Sequence, residues 1–265
     1  MTMRGGRILS ALVALAASAL AVSGAYASEA MATIPAGLYH PFQRVRAPTA
    51  SGDPVAPPQP IASFRLDVEP VTNGEFLAFV AAHPEWRRSK VKRVFADERY
   101  LRRWSGDLEL GQGDPLDAPA TNVSWFAAEA YCKARGLKLP TTEQWEYALA
   151  GTAPDREAVR TRSFTWMAQP NDARPAPVGQ GLANSFGVRD MVGLVWEWTY
   201  DFDAYATTAE SRDPNGKDSA AFCGGAAAGV ADPSDYPAFM RYAMRASLKA
   251  DYTADNLGFR CAGGA

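Results

Sequence analysis

Gly193-Leu194-Val195-Trp196-Glu197-Trp198 and Asn256-Leu257-Gly258-Phe259-Arg260-Cys261 are the two stretches from which the rest of the sequence is best read. Both are rich in apolar and aromatic side chains, and each holds a single charged residue. A charge in such surroundings is tolerated only when it is paired. Glu197 therefore reads as a buried hydrogen-bond or ion-pair partner. The second stretch, continued to Ala262, reads as the last strand. Cys261 lies in an apolar context, as does Cys132 far upstream, and two buried free thiols are one reading of them.

Outward from these stretches the helix signals are clear. Thr72 followed by Glu75 makes a capping box, in which two otherwise unpaired backbone donors are satisfied. Phe76, Phe79 and Val80 follow as a buried stripe, and His83-Pro84 stops the helix. Ser124 caps a second helix running to Gly136, with Trp125, Ala128 and Cys132 on one face. Thr141 and Gln144 form another capping box ahead of Trp145, Ala148 and Leu149, and Gly151 ends that helix. Thr33 to Tyr39 reads as a short strand opening into a turn. Ile61 to Glu69 alternates Phe64, Leu66, Val68 against Arg65, Asp67, Glu69, the pattern of a half-buried strand, and Arg241 to Ser247 alternates in the same way. Ala47 to Pro60, with five prolines, is a surface loop. Trp86 to Trp104 carries eight Lys/Arg and few acids. It is either a docking surface for an anionic partner or substrate or, as charge runs more often are, a solvated helical insert. There is no repeat of fixed period and no internal break, so one domain is expected.

The 265 residues are 47% hydrophobic and 21% charged, an ordinary globular mixture. Lys+Arg number 27 against 29 Asp+Glu, and the formal charge of -2 argues against holding nucleic acid as the main work. Two histidines leave a His-based zinc site without ligands. Arg4 and Arg7, the apolar run Ile8 to Val22, and Ala25-Tyr26-Ala27 before Ser28 have the three parts of a cleaved export signal, residues 1–27. The apolar run is shorter than the ~20 residues that span a bilayer, and no later segment approaches that length. The expectation is a mature domain, residues 28–265, without a membrane span, periplasmic or secreted, in a compartment that permits disulfides.

Four segments, taken in order, resemble one family. They are Val71-Thr72-Asn73-Gly74-Glu75-Phe76; Asn122-Val123-Ser124-Trp125 through Tyr131-Cys132 to Leu139-Pro140-Thr141 and Glu143-Gln144-Trp145-Glu146-Tyr147; Phe186-Gly187-Val188-Arg189-Asp190 through Trp196-Glu197-Trp198; and Asn256 to Cys261. Together they look like the formylglycine-generating enzyme, or sulfatase-modifying factor, family. The resemblance implies a single α+β domain, loop-rich, with C-type-lectin-like topology. It implies one Ca²⁺ held by Asp190, the carbonyls of Gly193 and Val195, and Glu197, a donor set of hard oxygens suited to that ion. Leu194 stands where the family usually has Asn, a position that is not a ligand. A second family calcium site would begin near Asn171 and Asp172, its other ligands lying in a loop that is shortened here. Cys132 and Cys261 fall on positions that pair in family members of oxidising compartments, which leaves Cys223 alone.

The family's oxidase chemistry uses two cysteines, five apart, that bind copper as thiolates, ligands that soft Cu(I) prefers. Here no cysteine lies between Gly224 and Arg260. Copper is therefore not expected, nor is formylglycine generation. Iron-dependent branches of the fold use several histidines, and His40 and His83 alone do not make such a set. The expectation is a binding or accessory module for a periplasmic partner protein or small-molecule ligand. The alternatives are an oxidoreductase or maturation enzyme on the same scaffold (siderophore-maturation-like or nitrite-reductase-associated) and residual formylglycine-generating activity. Candidate groups for any catalysis are Asp232, Asp235, Tyr236, Arg241 and Arg245; the plainer reading of the two arginines is structural ion pairing.

Overall fold

The structure is a computed structural model that describes residues 30–42, 57–169, 174–203 and 235–265. The expected leader, most of the proline-rich loop, Asn171, Asp172, Cys223 and Asp232 lie outside the described residues.

The caps place the first three helices. In α1 (Asn73–Ala82) the Thr72 hydroxyl accepts from Glu75 N at 3.3 Å while the Glu75 carboxylate accepts from Thr72 N at 2.7 Å. In α2 (Trp125–Ala134) Ser124 Oγ accepts from Ala127 N, and Gly136 takes the left-handed φ of 70° that ends it. In α3 (Thr142–Ala150) Thr141 and Gln144 exchange bonds of 3.0 and 3.1 Å. A further helix, α4 (Ala153–Met167), follows almost at once, with Pro154 in its first turn and Thr152 N donating to Asp155 Oδ2 at 2.9 Å. α4 is not among the elements expected from the sequence, although Thr152 and Asp155 have capping-box spacing.

Strands are short. β1 (Met31–Ile34), β4 (Phe64–Asp67) and β7 (Ala262–Gly264) form an antiparallel sheet in the order β1-β4-β7, with Met31 opposite Asp67 and Leu66 opposite Ala262. β2 (Gly37–Tyr39) pairs antiparallel with β3 (Gln59–Ile61), and β5 (Trp196–Glu197) pairs parallel with β6 (Leu257–Gly258). The architecture is α+β. The strand expected over Ile61 to Glu69 is broken at Ala62 and Ser63, between β3 and β4. The one expected over Leu257 to Ala262 is split into β6 and β7. Between them the carbonyls of Phe259 and Cys261 accept from Val71 N and Asp67 N, and Cys261 N donates to the Asp67 carboxylate, so pairing is irregular there.

Two further expectations are corrected. Arg241 to Ser247 is not a strand but part of helix α5 (Tyr236–Ala246), capped by the Asp235 carboxylate accepting from Ala238 N at 3.0 Å. The buried positions are 237, 238, 241, 242 and 245. That period is helical, and a short alternation does not distinguish it from a strand. Residues 87–104 form turns rather than a helix. The N–H groups of Asp97 and Leu101 are spent on the carbonyls of Asp251 and Asn122, and Leu101 sits at φ 46°. Buried Ala96, Tyr100, Leu101 and Trp104 anchor the segment, while Arg88, Lys90, Lys92 and Arg93 are exposed.

One part of the core packs Phe76, Phe79, Tyr131, Trp104, Trp198 and Phe259 together, and the other sets the three-stranded sheet against Trp145 and Leu149. Arg260 joins them, with a side chain that is 0% exposed. Its Nε and Nη2 donate to the two Glu197 oxygens at 2.8 Å each. Nη1 donates to the carbonyls of Asp67 and Val68 at 3.0 Å, and Nη2 also donates to that of Arg189 at 2.9 Å. All five N–H donors of the guanidinium are thus used, the condition under which a buried arginine is tolerated. Next to it Arg135 forks onto Asp67 at 2.8 and 3.0 Å, and Cys132 is joined to Cys261 by a disulfide with Cα atoms 5.5 Å apart, 129 residues apart in sequence.

Two outcomes follow. Arg260→Met leaves Glu197 buried without its counter-charge and should cost about 3–5 kcal/mol in urea unfolding; a loss under ~1 kcal/mol would show the pair to be dispensable. Denatured, unreduced protein should show one reactive thiol and reduced protein three. Cys132→Ser with Cys261→Ser should lower stability by about 4–5 kcal/mol on the chain-entropy account of so long a loop.

Candidate functional site

Helix α3 carries Trp145 and Glu146 side by side, and because they are adjacent on a helix they face different neighbours. Trp145 Nε1 donates to Glu197 Oε2 at 2.7 Å, which ties α3 to the Arg260 cluster. Glu146, also buried, meets α5. Arg241 and Arg245 stand one turn apart on α5 and both reach its carboxylate. Arg241 Nε lies 3.0 and 3.1 Å from the two oxygens, Arg241 Nη2 lies 2.8 Å from Oε2, and Arg245 Nη1 lies 2.7 Å from Oε1. The Arg245 guanidinium also lies over the Trp145 ring, 4.7 Å from its centroid. Trp145 is therefore held between the two buried charge clusters.

Burial by itself would raise the Glu146 pKa, but the charges and hydrogen bonds of Arg241 and Arg245 outweigh it and hold the carboxyl below its ordinary range. Burial would likewise lower that of Arg241, and Glu146, with help from Asp235, keeps it raised instead. With Asp235 also acting on Arg241, two carboxylates face the two guanidiniums and the cluster is internally balanced.

Glu146 and Arg241 of this cluster form one wall of a cavity of about 560 Å³. Leu38 to Phe42, in β2 and just after it, line a second side. α4 contributes Arg156, Val159 and Arg160, and the start of α5 contributes Asp235, Pro237 and Ala238. Tyr39 and Tyr242 share a hydroxyl–hydroxyl hydrogen bond of 2.5 Å, which fastens this wall to α5. A volume of this order suits a small organic ligand or a few residues of peptide.

The candidate residues fall as follows. Arg241 and Arg245 are locked on Glu146, a residue the sequence reading quoted but gave no role. Its signal was the pairing of an acidic residue beside Trp145 with two arginines four apart. Asp235 caps α5. Tyr236 is 48% exposed and stacks on Phe164 at 6.1 Å. His83 ends α1 and lies 3.5 Å from Glu85, whereas His40 lines the cavity. Among the described residues no three His, Cys, Asp or Glu side chains converge as a metal-binding group.

The segment expected to hold calcium curls tightly, with Asp190 at φ 55° and Gly193 at φ 101°. The Asp190 carboxylate accepts from Gly179 N at 2.5 Å and Gly181 N at 2.9 Å, and Glu197 is held by Arg260 and Trp145. Two carboxylates and the carbonyls of Gly193 and Val195 suit a hard cation by their chemistry. An ion there would use the lone pairs that these hydrogen bonds leave free.

Comparison with known proteins bears on the fold that carries this cavity. Residues 19–265 match the sulfatase-modifying factor enzyme 1-like domain. The chain belongs to the sulfatase-modifying factor family. It is 29% identical to the mouse (Mus musculus) protein named inactive C-alpha-formylglycine-generating enzyme 2, over 77% of this chain and 76% of that one. It is 36% identical to hercynine oxygenase of Mycolicibacterium smegmatis over 52% of this chain and 37% of that protein. It is 31% identical to bovine (Bos taurus) formylglycine-generating enzyme over 55% and 44%. PvdO from Pseudomonas aeruginosa superposes with a TM-score of 0.49 at 18% identity, over 89% of this chain and 94% of that one.

In this family member the Glu146 cluster gives a pH signature. A carboxyl whose folded pKa lies below its ordinary 4.5 adds stability above that pH and loses it as pH falls through the folded value. The melting temperature of wild type should therefore fall on acidification below pH 4.5. Glu146→Gln should be less stable than wild type at pH 7 and show a shallower acid limb; parallel acid limbs would show that Glu146 carries none of this dependence.

Proposed function

We propose that the chain is an exported sulfatase-modifying-factor domain that serves as a binding or accessory module, not as a formylglycine-generating oxidase. One observation carries this reading: no cysteine lies between Gly224 and Arg260, so the paired thiolates of the copper chemistry cannot be assembled there. Cys223 is a single thiol, and one thiolate does not replace two. The name of the mouse relative, an inactive formylglycine-generating enzyme, supports the same direction. Of the candidate catalytic groups among the described residues, the two arginines are spent on Glu146 and Asp235 on a helix cap. The large cavity beside them is the natural place for a ligand or a segment of a partner, in a domain of lectin-like topology. Export rests on the leader-like residues 1–27, and with it goes a periplasmic or secreted location. Ca²⁺ at Asp190, Gly193, Val195 and Glu197 belongs to this reading as a structural ion.

A second reading, an oxidoreductase or maturation enzyme of other chemistry on the same scaffold, is favoured by the 36% identity to hercynine oxygenase. Purified mature protein distinguishes the two. The module should carry neither iron nor copper in stoichiometric amount and should leave a Cys-x-Pro-x-Arg peptide unmodified. One equivalent of iron or copper would move the assignment to an enzyme, and formylglycine in the peptide would overturn the proposal. EGTA should lower the melting temperature and excess Ca²⁺ should restore it; an unchanged melting curve would remove calcium from the account.

A further inference from the structure

Resting on the proposal that this cavity binds a ligand, the structure also indicates the ligand's charge. Arg156 and Arg160 lie four residues apart on α4, so they project from one face of the helix into the cavity mouth. Both are exposed. Among the described residues neither lies within 4.0 Å of a carboxylate, and the Arg160 guanidinium has only the Phe164 ring, 6.0 Å away. The two acids of the lining are already engaged, Glu146 by Arg241 and Arg245 and Asp235 as the cap of α5. The mouth therefore holds two guanidinium forks with no carboxylate partner among the described residues, beside a wall whose own charges are paired. Leu38, Phe42, Leu149 and Val159 supply the apolar remainder of the lining.

We infer that the cavity binds an organic carboxylate with an apolar body. The carboxylate sits at the Arg156–Arg160 mouth and the body lies against Leu38, Phe42, Leu149 and Val159. The planar guanidinium fork matches a carboxylate through two parallel N–H···O bonds. The apolar surface sets how large the body can be and adds affinity without charge.

The test uses 1-naphthylacetate and its neutral isostere 1-naphthylacetamide, titrated into the mature protein by calorimetry. The acid should bind at least tenfold more tightly than the amide, and its affinity should fall between 50 and 500 mM NaCl as the charges are screened. In the Arg156→Gln, Arg160→Gln double variant, with its melting temperature unchanged, acid and amide should bind equally. If the amide binds wild type as well as the acid does, the cavity takes ligands but the inferred charge preference is wrong. If neither binds, the cavity is not a ligand site, and both this inference and the binding reading beneath it fail.

Discussion

A guanidinium sealed from water is tolerated only if every one of its donors is met, and Arg260 meets all five. That requirement fixes more of the molecule than any single apolar contact. It brings the carboxylate of Glu197 on β5, the carbonyls of Asp67 and Val68 at the end of β4, and the carbonyl of Arg189 to one point. Hydrophobic burial supplies most of the free energy of a domain of this size, but it is not directional. The arginine supplies the direction. Moving any of these segments out of hydrogen-bond reach would leave a buried polar atom unmet, at a cost of about 1–3 kcal/mol each.

The same logic extends to the cavity through one ring. Trp145 gives its N–H to Glu197 and its face to Arg245, so the wall of the cavity is braced against the centre of the fold. This explains why Arg241 and Arg245, which by residue type could be electrostatic catalysts, act here as parts of a frame. Both guanidiniums are charge-paired with Glu146 from inside. The cavity arginines without a carboxylate partner among the described residues are instead on α4, at the solvent edge. A rigid, internally neutralising wall with free cations only at its rim belongs to recognition more readily than to bond-making.

The parts of the fold that were legible in the sequence have local causes. Thr72 with Glu75, Ser124, and Thr141 with Gln144 each act within four residues, so their helices start where a reader of the sequence would put them. Helix α5 was misread because seven residues of alternating character fit two periods equally well, and only contact with Glu146, nearly a hundred positions away, selects the helical one. The charge-rich segment after Trp86 lost its expected helix to backbone bonds with Asn122 and Asp251, also distant in sequence. The pairing of Cys132 with Cys261 was accessible only through family resemblance. The cavity was not legible at all, because it is made by β2, α3, α4 and α5 together and no one of them announces it.

The dependence on Arg260 also orders events during synthesis. β7, Arg260 and Cys261 all lie late in the chain, yet their partners on β4, β5 and α2 are made much earlier. Those earlier elements must wait, unsatisfied, until the late segment arrives. Such distant pairings make folding slow, because chain entropy must be lost before the contacts form. Until Arg260 is made, the Glu197 carboxylate that it will seal has to keep its water.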